Sequence, residues 1–245
     1  MPEVVNFDTP ELLAQGAADL IINLAEKDIA NNDRFTIALS GGNTPATLYA
    51  LLATASYSSK INWKKVFIFW GDERCVTPDN EDNNSFNAKR IFLDHVSIPK
   101  ENIFPIPVEL PPAKAAAQYE DTIKQFFGTD TPEFDLVLLG MGDNGHTASL
   151  FPHSEILKEE KALVKEVYVA EVNMWRISFT AKLINNAKHI LFLVAGNEKK
   201  QMLQTVLHGK YEPERYPAQL IKGAKWFVSI PTTDNGNLIM NNVYF

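Results

Sequence analysis

His146 is the residue whose type and setting most directly indicate catalysis. It ends the segment Gly-Met-Gly-Asp-Asn-Gly-His at residues 140–146, which directly follows an apolar run. Histidine is the usual general base near neutral pH, and the glycines around it predict a pocket lined by backbone. A lone histidine more often packs a loop, but its place at a predicted strand end favours catalysis. His146 and His153 do not have the spacing of zinc ligands, so we expect no metal site.

Ser40, Gly41 and Gly42 form a second candidate site, for an anion. They lie between a predicted strand and a predicted helix, with Pro45 in the first helical turn. Backbone N–H groups at a helix N-terminus, unshielded by side chains, bind phosphate. A tight turn that needs glycine explains the same residues equally well. The stretch is neither a Walker A loop nor a dinucleotide-binding fingerprint, so we expect no nucleotide cofactor.

Three cations follow or lie within predicted strands. Arg74 comes after Asp72 and Glu73 at one strand end. An arginine there can grip a phosphate or carboxylate, although a surface ion pair within the triplet is commoner. Arg176 lies in a strand-like run, and Lys199 stands near a helix start. Long cationic side chains on strands usually face solvent, so each alone is weak evidence for a site.

Short apolar runs alternate with helical patterns and must position these side chains. We predict strands at residues 34–40, 64–70, 134–142, 162–172, 175–181, 188–196 and 225–231, and helices at 8–32, 46–53, 86–96, 113–127 and 197–209. A further helix is predicted to start at Thr147. This alternation is typical of an α/β fold with a mostly parallel sheet flanked by helices on both faces. The glycine-rich stretches follow strands, so we expect them to form one site at the carboxyl ends of the sheet.

Length, charge and cysteine content exclude several classes of protein. The 245 residues suit one large domain or two small ones, and no linker divides them, so we expect a single domain over residues 1–245. The net charge of −7 argues against a nucleic-acid partner. The only cysteine, Cys75, excludes an internal disulfide and fits a reducing compartment. Without a signal peptide or an apolar stretch of ~20 residues, we expect a cytoplasmic protein that does not bind membranes.

Taken together, these stretches resemble the 6-phosphogluconolactonase family. The matching segments follow the family's order and spacing: LSGGNTPATLY, FWGDER, FDLVLLGMGDNGHTASLFP, RISFTAKLINNAKHILFLVAG and KYEPERYPAQLI. The combination of WGDER with GHTASLFP is the most specific signal. The resemblance implies a Rossmann-like α/β fold and hydrolysis of 6-phospho-D-glucono-1,5-lactone to 6-phosphogluconate in the oxidative pentose phosphate pathway. It also implies that no metal or nucleotide takes part.

The resemblance implies a role for each candidate residue. His146 matches the family's catalytic histidine, and we expect it to take a proton from the attacking water. The other cations match charged positions at the site. We expect Arg176, Lys199 and the Ser40–Gly42 loop to hold the substrate phosphate, and Arg74 or the loop backbone to stabilise the oxyanion.

Asn144 is the main departure from the family pattern, which usually has aspartate two residues before the catalytic histidine. A carboxylate there orients the imidazole and stabilises its charged form, whereas an amide can only orient it. Asn144 is therefore a catalytic candidate with an altered contribution, and Asp143 could supply the missing charge. Thr77 and Ser178 also replace the family's usual proline and threonine.

Two other functions remain open. A glucosamine-6-phosphate deaminase shares the Ser-Gly-Gly and Gly-His loops, but it typically has Ala-Phe-Asn-Glu-Pro where residues 148–152 here are Ala-Ser-Leu-Phe-Pro. It also lacks WGDER, so the sequence favours the lactonase. The other alternative is a non-catalytic protein that binds a sugar phosphate, which the amide of Asn144 keeps open. Either a monomer or a homodimer is compatible with the sequence.

Overall fold

A computed structural model describes residues 2–230, and a six-stranded sheet lies at its centre. The strands are β1 (Glu3–Asn6), β2 (Phe35–Leu39), β3 (Val66–Trp70), β5 (Leu136–Leu139), β8 (His189–Ala195) and β9 (Lys225–Ser229). Their order is β1-β9-β8-β5-β2-β3, and every neighbouring pair is parallel. All residues of β2 and β5 are buried, as expected for strands covered on both faces.

A second sheet of three antiparallel strands continues from the carboxyl end of β3. It contains β4 (Asp72–Arg74), β6 (Val164–Val169) and β7 (Met174–Phe179), in the order β4-β7-β6. Gly71 alone separates β4 from β3. Its N–H donates to the carbonyl of Leu39 at 2.9 Å, and its own carbonyl accepts the N–H of Phe179 at 2.8 Å. This glycine therefore joins the two sheets through backbone hydrogen bonds.

Helices flank the sheets on both faces. They are α1 (Pro10–Asn32), α2 (Asn43–Leu52), α3 (Ala55–Ser58), α4 (Asn84–Ile91), α5 (Pro112–Phe127), α6 (Ala181–Asn185) and α7 (Lys200–His208). The hydroxyl of Thr9 caps α1 by accepting the N–H of Leu12 at 3.2 Å, and the helix ends at Asp33 in the left-handed conformation. Within residues 2–230, no helix combines the length and the apolar character needed to cross a membrane.

Buried apolar side chains from both sheets and the helices form a continuous core. Phe69 of β3 lies at the centre of an aromatic group in this core. Its ring centroid is 4.5 Å from that of Phe104, 5.2 Å from that of Phe126 and 5.1 Å from that of Phe134. Each such pair contributes about 0.5–1.5 kcal/mol beyond its buried area. The group packs the edge strand β3 against α5 and so supports the loops that follow β3.

The predicted α/β fold with helices on both faces is confirmed, but the helix predicted to start at Thr147 is wrong. Residues 147–154 contain no helix. Ala148 and His153 have positive φ angles of 46° and 61°, which a right-handed helix does not allow. The hydroxyl of Thr147 donates to the carbonyl of Gly140 at 2.8 Å instead of capping a helix. The segment therefore folds back on the strand end that precedes it.

Other differences concern short or antiparallel elements. The strand β1 was not predicted, because four residues are too few for a pattern and its pairing with β9 defines it. The strands predicted at 162–172 and 175–181 form the antiparallel pair β6–β7 of the small sheet and leave the main sheet wholly parallel. The helix predicted to reach residue 96 ends at Ile91. Pro231, the last residue of the predicted strand 225–231, lies outside the described residues.

We expect Asp135→Asn to lower the free energy of unfolding by about 2–3 kcal/mol. The buried carboxylate of Asp135 accepts the N–H and the hydroxyl of Thr36, each at 2.7 Å, and pairs with Lys188 at 2.6 Å. The amide would place an N–H₂ group against one of these donors. Asp33→Asn is the matched control, because Asp33 pairs with Lys65 but its side chain is 79% exposed. Urea unfolding should show that the control lowers the free energy of unfolding by less than about 1 kcal/mol. Equal losses of stability in the two variants would show that the buried ion pair of Asp135 stabilises the fold no more than the exposed pair of Asp33.

Candidate active site

A cleft of about 350 Å³ opens at the carboxyl ends of β2, β3, β5 and β8. It brings together seven of the eight residues predicted for the site: Ser40, Gly41, Gly42, Arg74, His146, Arg176 and Lys199. Asn144 does not line the cleft but contacts His146. The volume lies in the range of sites for small molecules. The parallel strands thus gather residues that are far apart in the sequence into one concave surface.

The N-terminus of α2 faces this cleft without a capping side chain. The helix begins at Asn43, earlier than predicted, and Gly42 at its N-cap has no side chain that could accept a helix N–H. The buried hydroxyl of Tyr49 accepts the N–H of Ser40 at 3.1 Å and donates to its carbonyl at 2.7 Å. The loop is therefore fixed. The N–H groups of Asn43 and Thr44 in the first turn have no partner within residues 2–230, and they present partial positive charge to the cleft.

Asn144 holds the imidazole of His146 in a single orientation. Nδ1 of His146 lies 2.6 Å from Oδ1 of Asn144, and the same oxygen accepts the backbone N–H of His146 at 3.2 Å. An amide oxygen can only accept, so Nδ1 carries the ring proton and Nε2 keeps its lone pair. The ring also stacks on Phe151, with the centroids 4.1 Å apart. Nε2 is therefore the atom that can act as a base.

The surroundings of His146 keep its imidazole neutral. Burial lowers the pKa of His146 from 6.5 to about 4. The carboxylate of Asp72 opposes this shift, whereas the charges of Arg176 and Lys199 add to it. At neutral pH nearly every molecule therefore has its base in the unprotonated form, although a base of this pKa is a weak one.

Gly142 provides the space that this imidazole occupies. A Cβ atom on Gly142 would lie 2.0 Å from Cε1 and 2.1 Å from Nδ1 of His146, far inside van der Waals contact. The backbone N–H of Gly142 also donates to the carbonyl of His146 at 2.9 Å, which closes the loop. Because Gly142 has no side chain, its backbone can pack directly against the imidazole ring.

Arg74 and Arg176 lie directly opposite each other on the paired strands β4 and β7. Like charges in this position repel, and the buried carboxylate of Asp72 offsets part of this repulsion at Arg176. Within the described residues, the Nε atoms of both side chains are buried and have no hydrogen-bond partner. Nη1 of Arg74 donates to the carbonyl of Asp82 at 2.7 Å, and the guanidinium of Arg176 lies 5.4 Å from the ring centroid of Phe151. The pair has the charge and the free donors to bind an anionic ligand.

Lys199 reaches the cleft from the other side and forms an ion pair with Asp143. The side chain of Lys199 is 20% exposed, whereas that of Asp143 is 80% exposed. Asp143 is therefore engaged by Lys199 and makes no hydrogen bond to His146 in the part of the chain that the structure describes. It influences the imidazole only through space, where its charge raises the pKa of His146.

A model of the family described as glucosamine-6-phosphate isomerases/6-phosphogluconolactonase matches residues 8–228. The chain belongs to this family. It is 42% identical over 219 residues to a 6-phosphogluconolactonase of Nostoc sp., with 88% of each chain covered. It is 39% identical over 225 residues to a 6-phosphogluconolactonase of Synechocystis sp., with 90% of this chain and 91% of the relative covered.

Solved structures of the family have the same fold. The structure of 6-phosphogluconolactonase from Trypanosoma cruzi aligns with a TM-score of 0.83 at 28% identity and covers 94% of both chains. A monomeric glucosamine-6-phosphate deaminase aligns with a TM-score of 0.79 at 20% identity and covers 93% of this chain and 97% of its own. The fold alone therefore does not distinguish a lactonase from this deaminase, and the site must do so.

Among the lining residues that were not predicted for the site, Asp72 and Asn84 have buried polar side chains. Asp72 is buried, and its carboxylate accepts the hydroxyl of Ser149 at 2.7 Å. Asn84 is buried at the start of α4. The expected alternative of a surface ion pair in the Asp-Glu-Arg triplet is wrong, since both carboxylates are buried and neither forms an ion pair with Arg74 in residues 2–230. The position of the triplet at a strand end was the available signal for Asp72, whereas Asn84 had none.

Cys75 and the acidic residues contribute no further reactive centre to this site. Burial raises the pKa of the Cys75 thiol to about 11, and the charge of Glu73 adds to the rise. The thiol is therefore protonated at neutral pH and is a poor nucleophile. Among the residues that the structure describes, no group of three or more histidine, cysteine, aspartate or glutamate side chains is arranged to hold a metal ion.

We expect Gly142→Ala to displace the ring of His146 and to return its pKa from about 4 towards 6.5. Between pH 4 and pH 6.5, His146 is protonated in the unfolded wild-type chain but neutral in the folded protein. Acidification through this range therefore lowers the free energy of unfolding of the wild type, and the variant should lose this pH dependence. NMR titration of the imidazole measures the change directly. Gly140→Ala is the matched control, because its Cβ would lie 3.9 Å from the nearest atom, Oγ of Ser40. Identical midpoints in the two variants would contradict the packing argument.

Proposed function

We propose that the protein hydrolyses 6-phospho-D-glucono-1,5-lactone to 6-phosphogluconate, the reaction expected from relatives that carry the name 6-phosphogluconolactonase. One observation carries the proposal. A neutral imidazole with a free Nε2 lies in the same cleft as two opposed arginines and an uncapped helix N-terminus. Such a cleft combines a base with sites for the phosphate and for a developing oxyanion.

The substrate phosphate is held by Arg176, Lys199 and the N-terminus of α2. An incoming dianion competes with Asp143 for Lys199, because that ion pair is formed at an exposed carboxylate. It also relieves the repulsion between Arg176 and its neighbour across β4 and β7. Holding the phosphate several bonds away from C1 fixes the lactone ring relative to His146, and that positioning supports catalysis.

In the reaction step, Nε2 of His146 removes a proton from water while the water oxygen forms a bond to C1 of the lactone. The carbonyl electrons move onto the oxygen, and Arg74 or backbone N–H groups of the glycine-rich loop stabilise the oxyanion. When the tetrahedral intermediate collapses, the bond from C1 to the ring oxygen breaks. The imidazolium then returns its proton to that oxygen, and the new carboxylic acid loses its own proton to solvent.

Substrate binding also increases the strength of the base. The charges of Arg176 and Lys199 lower the pKa of His146 in the free protein. A bound phosphate offsets these charges and therefore raises that pKa towards its ordinary value. The substrate thus compensates in part for the carboxylate that Asn144 does not provide.

We expect His146→Ala to lower kcat/KM for the lactone by about 10²–10⁴, because the general base is lost while the phosphate site remains. The assay follows proton release from freshly generated lactone above the spontaneous rate. His95→Ala is the matched control, since His95 is an exposed histidine outside the cleft and should keep wild-type activity. Equal activity of wild type and His146→Ala would remove His146 from this role.

The same assay separates the lactonase from its alternatives. Glucosamine 6-phosphate serves as the counter-substrate, and ammonia release from it would indicate the deaminase. Binding of 6-phosphogluconate without turnover of the lactone would indicate a non-catalytic protein. Either result would contradict the proposal.

We expect Asn144→Asp to raise the pKa of His146 and to increase kcat by about three- to tenfold. Aspartate keeps the acceptor for the Nδ1 proton and adds a negative charge 2.6 Å from the ring, which stabilises the imidazolium formed during the reaction. Asn144→Ala supplies the comparison, since it removes the acceptor and should lower kcat. If Asn144→Asp has an unchanged fold but a lower kcat than the wild type, a carboxylate does not support His146 better than the amide does, and the prediction is wrong.

A further inference from the structure

Glu73 is a completely buried acid that the reaction described above does not use. Its relative exposure is 0%, and its carboxylate accepts three backbone N–H groups. Oε1 accepts those of Arg74 at 2.8 Å and Asn84 at 2.7 Å, and Oε2 accepts that of Ser85 at 2.8 Å. A buried carboxylate is costly unless its oxygens are satisfied in this way.

The donors belong to two segments that are separate in the sequence. Arg74 lies on β4, whereas Asn84 and Ser85 are the first residues of α4. The first N–H groups of a helix have no partner within it, and here the carboxylate of Glu73 takes two of them. The side chain of Asn83 takes the next by accepting the N–H of Phe86 at 2.8 Å. Glu73 therefore binds the start of α4 to β4 and closes the loop at residues 75–83.

Both ends of this closed loop carry side chains that line the cleft. Nη1 of Arg74 donates to the carbonyl of Asp82 inside the loop at 2.7 Å. Nδ2 of Asn84 donates to the carbonyl of Asp72 at 3.0 Å. Oδ1 of Asn84 packs against the glycine-rich loop so closely that a Cβ atom on Gly41 would lie 1.9 Å from it. A shift of the loop would move the guanidinium and the amide together.

We propose that Glu73 is a positioning residue, whose carboxylate fixes the loop at residues 75–83 and thereby places Arg74 and Asn84 against the bound substrate. Glu73 does not contact the substrate, because it is absent from the cleft wall. The inference rests on the proposed function for its kinetic test, but its geometric basis is independent of the reaction.

The charged and titratable groups that face Glu73 decide the conditions of the test. Burial raises the pKa of Glu73 to about 7, and the three backbone N–H groups oppose this rise. The negative charge of Asp72 also raises the pKa of Glu73. The other titratable groups that interact electrostatically with the carboxylate are Arg176, Cys75 and Tyr119. The comparison of variants is therefore made at about pH 8, where the carboxylate is mainly ionised.

Glu73→Gln tests the proposal, with Glu120→Gln as the matched control. Glu120 also accepts two backbone N–H groups, those of Leu163 at 2.7 Å and Val164 at 3.1 Å, but it ties α5 to β6 away from the cleft. We expect Glu73→Gln to lower kcat/KM for the lactone by about tenfold or more and Glu120→Gln to stay within about twofold of wild type. Circular dichroism and thermal unfolding verify that both variants are folded.

A double-mutant cycle distinguishes positioning from a general loss of stability. If Glu73 acts through Arg74 and Asn84, then Glu73→Gln should lower kcat/KM by about threefold or less when it is introduced into a variant that carries both Arg74→Ala and Asn84→Ala. Equal losses in both backgrounds would overturn the proposal, as would wild-type kcat/KM in Glu73→Gln. Should Glu73→Gln fail to fold, Glu73→Asp takes its place, since it keeps the charge but shortens the reach by one methylene. The aspartate variant should then show the same non-additive loss.

Failure of the proposed function is recognised separately. If the wild type does not hydrolyse the lactone, the positioning inference is tested by calorimetric binding of 6-phosphogluconate. Glu73→Gln should then raise its Kd by about fivefold or more, while Glu120→Gln leaves it unchanged. An unchanged Kd in Glu73→Gln would overturn the inference whatever the reaction of the wild type.

Discussion

The carboxyl ends of parallel strands must meet at one edge of their sheet, and the candidate site depends on this constraint. β2, β3, β5 and β8 each end in a glycine-containing loop, and these loops form the wall of one cleft. The small antiparallel sheet extends the same edge, because Gly71 joins β3 to β4 without an intervening turn. Arg74 and Arg176 become neighbours only through that extension. A change in strand order would therefore dismantle the site even if every local segment kept its conformation.

Buried carboxylates and closely spaced cations together determine the electrostatics of the cleft. Asp72 and Glu73 are buried beside Arg74, and within residues 2–230 the buried Nε atoms of Arg74 and Arg176 have no hydrogen-bond partner. The imidazole of His146 is held neutral by burial. Buried donors without partners and closely spaced like charges cost stability, and such costs are typical of functional sites. An anionic ligand would give the donors of the two arginines a partner and would offset their mutual repulsion.

Much of the fold was predictable, because its strands are short apolar runs and its longer helices have apolar residues at helical spacing. The loops after the strands were recognisable from their glycines, and the cations could be identified as candidates from their residue types. The buried setting of Asp72 and Glu73 was not predictable, since two acidic residues beside an arginine commonly form a solvated ion pair with it. Asn84 was also missed, because an asparagine in a polar loop carries no signal until Glu73 draws the start of α4 to the cleft. The helix predicted at Thr147 was wrong because positive φ angles at Ala148 and His153 depend on the packing of that loop.

The order of residues alone was sufficient for the α/β class and the family, and it identified His146 with its glycine-rich surroundings. These properties depend on local patterns and motifs that can be recognised along one chain. Which groups act on the imidazole was determined by packing in three dimensions. Asn144 holds Nδ1, whereas Asp143 is diverted to Lys199, although the two residues are adjacent in the sequence. These partners depend on which side chains meet across the loops. The distance between two side chains in the folded protein cannot be read from the number of residues that separate them in the sequence.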